Sequence, residues 1–528
     1  MWGLTLKKIV ALAVGAILCL GSFLLWTGSS SDTYTIADST GDWGYPTPYG
    51  MYPRGPGYVR MSLVFDTLVW KDRDGLVPAL ATDWDYLEDR NAWEFTLRED
   101  LTWHDGARLT AEDVAFTFRY IQDHPWVWAD ASLIDRVQDV NERKVRISLS
   151  RPYAPFLTNI AGSVPILPRH IWESVEDPEQ FRGQKALVGS GPYRLADYNK
   201  AQGTYLYEAY NDYYLGKPAV KRLRFVKLSQ EIAPVALRQG DVNFSRVPTE
   251  TAEGLEQSGM EVEEQPPQWA AKLLINYHNE PLGRKRFRQA LACAIDRQQI
   301  VDIILRGHGI PGSPGLIPPS NEFWHNPDAG GEKHNPERAR RLLEGLGYER
   351  GPDGYYRKDG RELSFNILCS SQTTREFGRL AELLKQQFEK VGIRLNVRAQ
   401  ESKTLDARLS SWDFELAISG HGGLGGDPEI LNKMILGKSF NSVRYRENEE
   451  LVRLLKGQIR EMDRQERQEM VYRIQEIYAE EMPAVTLYHP RWYWVHDGSV
   501  DLYHSPGGMA IGIPLPLNKL SFVDPKAR

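Results

Sequence analysis

Beyond residue 32 the chain alternates between short runs in which every second residue is apolar and longer stretches in which apolar residues return at three- and four-residue steps. The first pattern marks half-buried strands and the second amphipathic helices, so a mixed α/β protein is predicted. Residues 34–103 hold strand-like runs, TYTIA, LVFDTLVW and AWEFTLRE, separated by turn residues such as those at 72–75. At 110–121 (TAEDVAFTFRYI) Thr110 is a favourable N-cap, and Glu112 and Asp113 fall in the first turn, where carboxylates complement the helix dipole. Residues 363–369 (LSFNILC) read as a strand and 375–391 as a helix that Gly392 stops, with a second strand at 393–398. On that helix Phe377, Leu380, Ala381, Leu384, Phe388 and Val391 share one face, which implies a parallel βαβ crossover packed on a sheet. A further strand at 414–419 and long helices near 449–462 and 465–481 extend this α/β half.

With 528 residues the chain exceeds what a single core supports, so two or three packed units are expected. Hydrophobic residues at 41% and charged ones at 25% describe an ordered protein. A net charge of -6 argues against a nucleic-acid partner, whose phosphates demand a basic surface. The 45 Gly and 32 Pro are spread out, without a repeat or a low-complexity tract. The 15 Trp and 25 Tyr suit pockets as well as cores, since each joins a large apolar face to a polar tip.

Lys7 and Lys8 precede an uncharged apolar run at 9–26. As a helix that run would reach about 27 Å, so both a signal peptide and an uncleaved anchor fit, and an extracytoplasmic location follows either way. Cys19 follows Leu18 where a lipobox wants a small residue, which argues against acylation. Cys293 and Cys369 sit in apolar runs and read as buried small hydrophobes, so no disulfide framework is expected.

Catalytic signatures are missing: HExxH, GxSxG, SxxK and CxxC do not occur, and Gly437–Ser439 lacks the upstream glycine of a phosphate-binding loop. No catalytic residue is assigned. The eleven histidines lack ligand spacing, so neither a protein-built metal site nor a cofactor is expected. GHGGLG at 420–425 satisfies GxGxxG between a strand and a helix, but Asp427 and Glu429 make that helix start anionic and hostile to a pyrophosphate.

Residues 78–121, PALATDWDYLEDRNAWEFTLREDLTWHDGARLTAEDVAFTFRYI, resemble the signature of the extracellular solute-binding proteins of family 5, the oligopeptide, dipeptide and nickel receptors of bacterial ABC importers. Three further blocks match in order: VGSGPYRL with NDYYLGKPAVKRLRF, FRQALACAIDRQQIVDIILRG, and 381–391 leading into GIRLNV. The resemblance implies a type II periplasmic-binding-protein fold of the large cluster, two lobes with an extra subdomain joined by a two-strand hinge. It also implies an organisation of 1–31 as leader or anchor, 32–267 plus 490–528 as lobe I, and 268–489 as lobe II. Connecting strands would lie near 272–278 and 484–488.

By the same resemblance the chain is a monomeric receptor that takes a small molecule or peptide into an interlobe cleft and delivers it to ABC permease subunits. A sensing receptor and an exported hydrolase are the alternatives. Candidate ligand-binding residues are Trp43, Tyr45 and Tyr49 in the GDWGYPTPYG loop, Trp412, and His421, Gly422, Gly423 and Asp427 in the glycine-rich loop. Peptide-binding relatives carry an Asp for the ligand's amine where this chain has Leu424. An approximate alignment puts Ser371 where dipeptide receptors hold the ligand carboxylate, with Arg375 one helical turn away. A short zwitterionic peptide is therefore not the expected cargo, because an unpaired buried ammonium costs several kcal/mol.

Overall fold

The structure is a computed structural model that describes residues 32–371 and 375–523. Its two main sheets are each assembled from distant parts of the chain. The first has seven strands in the order Glu261–Gln265, Trp492–His496, Phe244–Val247, Thr33–Asp38, Arg222–Lys227, Thr204–Ala209 and Tyr193–Asn199. Thr33–Asp38 runs parallel to both of its neighbours, and the other pairs are antiparallel. The second sheet has six strands in the order Gly309–Pro311, Ala484–Pro490, Ala270–Ile275, Leu416–His421, Ser364–Ser370 and Arg394–Gln400. A four-stranded antiparallel sheet, Ala81–Leu87, Ala92–Leu97, Lys144–Leu149 and Ile134–Asn141, packs into the same hydrophobic core as the seven-stranded one.

The βαβ unit has the expected form. Ser364–Ser370 pairs in parallel with Arg394–Gln400, and Arg375–Lys390 crosses between them. Leu380, Ala381, Leu384, Phe388 and Val391 are all fully buried, and Gly392 leaves the helix at φ +81°, where a side chain is disfavoured. Ala111–Asp123 is capped as its sequence suggests: Asp113 Oδ2 accepts from the Thr110 N–H at 2.9 Å. Cys293 and Cys369 are free thiols with no exposed surface.

Two expectations are corrected. The run LVFDTLVW gives only the short strand Val69–Lys71, and the stretch just before it holds the helix Gly55–Ser62, with Pro56 in its first turn. The segments expected as connectors, near 272–278 and 484–488, are core strands of the second sheet. The chain passes between sheets just outside them, at 266–269 and at Arg491. No described helix is long and apolar enough to cross a membrane, and the segment at 9–26 lies outside the described residues.

Candidate functional site

Between the lobes lies a cavity of about 900 Å³. One wall comes from three adjacent strands of the first sheet. Gln265 pairs with Trp492, and Arg246 pairs with Trp494, so the two-residue alternation of strands brings these four side chains to one face. Trp43, Tyr52 and Arg54 join from the loop after Thr33–Asp38, and Trp269 and Gly422 from the second lobe's side. Four tryptophans therefore enclose the space, with Trp269 set 6.0 Å from Trp492 and stacked 6.3 Å from Phe377 of the second lobe.

The charges around the cavity are unevenly satisfied. Asp38 takes the Arg60 guanidinium and the Trp43 indole N–H, the latter at 3.0 Å. Asp42 Oδ1 accepts from Tyr198 at 2.7 Å, Tyr205 at 3.3 Å and the Gly44 N–H at 3.0 Å. Arg246 instead lies over the Trp492 ring at 4.4 Å, and no carboxylate or carbonyl among the described residues accepts from its guanidinium. Burial pushes Arg246 down to about 10, and Glu376 is the acid whose field reaches it.

Of the residues expected from the sequence, Trp43 and Gly422 line this cavity. Tyr45 donates to the Gly183 carbonyl at 3.2 Å and lines an adjoining hollow of about 530 Å³ with Arg182, Tyr198 and Lys200. Tyr49 donates to the His124 carbonyl at 2.6 Å and packs on Tyr120 and Trp172, within the first lobe. Trp412 packs on Tyr277 at 5.2 Å and lines a separate depression of about 610 Å³ beside Asn276 and Arg398. The Arg375 side chain lies outside the described residues.

The glycine-rich loop is used differently from the expectation that it offers its backbone to a ligand. A Cβ at Gly420 would fall 1.8 Å from Trp269 Cζ2, and one at Gly425 would fall 2.0 Å from the Gln268 amide carbon. Those glycines make room for side chains of the crossing segment. Gly423 and Gly426 meet the first lobe, where Cβ atoms would sit 3.8 Å from the Ile511 carbonyl oxygen and 3.3 Å from that of Gly507, respectively. Asp427 is consumed by structure: its oxygens take Arg467 at 2.6 and 2.9 Å, and Oδ1 also accepts the Glu429 N–H at 2.8 Å. His421 faces its neighbour's carbonyl at Gly422, and burial together with the charge of Lys272 pushes its imidazole down to about 3, leaving it neutral.

The structure adds Arg246, Gln265, Trp269, Trp492 and Trp494 to the cavity lining. The usable signal was the same-face alternation of Trp492 and Trp494, which needed the neighbouring strands to reveal an open space in front of it. Among the described residues no group of three or more His, Cys, Asp or Glu side chains is arranged to hold a metal ion.

Residues 75–442 match the model of the bacterial extracellular solute-binding proteins, family 5 Middle. The chain belongs to this family. Its relatives include the oligopeptide-binding protein AppA of Bacillus subtilis, 28% identical over 76% of this chain and 75% of that protein. Protein XP55 of Streptomyces lividans is 30% identical, over 83% and 80% respectively. In fold the family member resembles NikZ from Campylobacter jejuni, crystallised with Ni(L-His), at TM-score 0.77 and 22% identity over 92% of this chain and 98% of that one. The family's work is solute binding outside the cytoplasm.

Proposed function

We propose that the solute is held in the interlobe cavity, with Trp43 on one side, Trp269 on the other and Trp492 and Trp494 behind, and that it leaves for the permease chemically intact. The observation that carries this reading is the enclosure of about 900 Å³ by side chains from both lobes. That volume suits a small solute or short peptide, and it closes when the lobes close. The cavity lining holds no Ser, Cys or Thr beside a histidine, the pairing that nucleophilic hydrolysis requires. The receptor acts as a monomer, tethered or released through the apolar segment at 9–26, and the hollow beside Tyr45 extends the site for larger cargo.

Native mass spectrometry of the purified protein, followed by release of whatever co-purifies, tests this. A bound molecule of unaltered mass, a change in tryptophan emission on reloading, and affinity weakened about tenfold by Trp43→Ala are the expected results. Turnover of the bound molecule, or full affinity in both Trp43→Ala and Trp269→Ala, would overturn it.

A further inference from the structure

Arg246 and Gln265 share one face of the first sheet, and both have unspent donors. The Arg246 guanidinium stacks on Trp492 and has no hydrogen-bonded acceptor among the described residues. Gln265 is 1% exposed, lines the cavity, and its Nε2 has no partner. A buried amide N–H without an acceptor is costly, and a half-buried guanidinium stacked on an indole without a carboxylate keeps its donors available. Such groups call for a partner, and at a cavity wall a ligand can supply it.

The acids nearby leave this demand open. Asp38 is occupied by Arg60 and Trp43, and Asp42 by two tyrosines and a backbone N–H. Glu376 reaches Arg246 only through its field, without a salt bridge, and burial raises its own carboxyl. The remaining charged residue of the lining, Arg54, adds a second cation without a side-chain partner among the described residues. Asp42 keeps Oδ2 without a hydrogen-bond donor among the described residues, and its three donors are all neutral.

We infer that the cargo carries a carboxylate that seats on Arg246 and the Gln265 amide, with a flat or apolar body against the tryptophans. This rests on the capture in the interlobe cavity proposed above and names its ligand class. A planar carboxylate fits the guanidinium fork, and the indole beneath fixes the fork's orientation.

The test loads ligand-free protein with the low-molecular-mass fraction of yeast extract, either untreated or with its carboxyl groups methyl-esterified, and identifies the retained molecules by mass spectrometry. Wild type should retain carboxylates from the untreated pool at least about tenfold over their esters, as expected when a charge-assisted hydrogen bond is lost. Arg246→Met should abolish the preference, Arg246→Lys should keep part of it, and Gln265→Leu should reduce it, each with an unchanged melting profile. Equal retention of acids and esters, or retention of phosphate compounds insensitive to esterification, would overturn the inference and leave capture in the cleft standing. Retention from neither pool would overturn both.

Discussion

Lys272 occupies the middle of Ala270–Ile275 with no exposed surface, and its ammonium donates to the Asn441 carbonyl at 2.9 Å, with no carboxylate paired to it among the described residues. Burial pushes it down to about 7. The unfolded value is near 10.4, so between the two the unfolded chain binds more protons, and stability must rise with pH across that window. Urea unfolding of wild type and Lys272→Met, compared at about pH 7 and about pH 9, should show wild type gaining on the order of 2 kcal/mol relative to the variant. Parallel pH curves would mean that the ammonium stays charged in the fold. Lys272 was not legible as a buried charge, because its strand reads KLLIN and a lysine at a strand's start passes for a solvated one. Cys293 and Cys369, set in unbroken apolar runs, were legible as core.

Elements whose local chemistry agreed with their surroundings were legible in advance. The helix Ala111–Asp123 has its cap and first-turn acids in sequence, and the βαβ unit has its apolar face and terminal Gly392. The loop 420–426 was not, since glycines that admit a ligand and glycines that admit a neighbouring indole leave the same trace in a sequence. Gly420→Ala separates these uses: the new methyl would fall on the Trp269 ring, so a loss of about 1–3 kcal/mol by thermal or denaturant unfolding is expected, with altered tryptophan emission. At Gly422 the nearest atom is Trp269 Cδ1 at 3.4 Å, so Gly422→Ala should leave stability nearly unchanged. Equal stability of the two variants would refute the assignment of Gly420 to Trp269.

At the scale of the molecule, the lobes touch at more than the cavity. Asn159 of the first lobe donates to Glu429, the Ala154 N–H donates to the Ile459 carbonyl at 2.9 Å, and residues 423–426 lie against 507–512. Lys71 steadies the latter stretch by donating to the Gly508 and Ala510 carbonyls at 3.2 Å each. Gly426 is the sharpest probe, because its backbone is not in the left-handed region while a Cβ there would meet Gly507 and Gly512 at 3.3 Å. Gly426→Val should fold normally yet resist closure at a cost of about 1–3 kcal/mol, weakening solute binding about tenfold. Small-angle scattering should then show the solute failing to compact the variant as it compacts wild type, and equal compaction would remove this contact from the closing surface. Two lobes could be inferred from four ordered sequence blocks, whereas the meeting of Gly426 with Gly507 and Gly512 could not, since nothing local distinguishes it from an ordinary turn.

Main chain meeting main chain leaves no imprint of the passenger inside. The outline offered to a docking permease is therefore the same for every molecule that lets the shells shut, while choice of passenger rests with the indoles and the guanidinium. Evolution can alter the diet of such a receptor by exchanging wall residues, without renegotiating its fit to the membrane machinery.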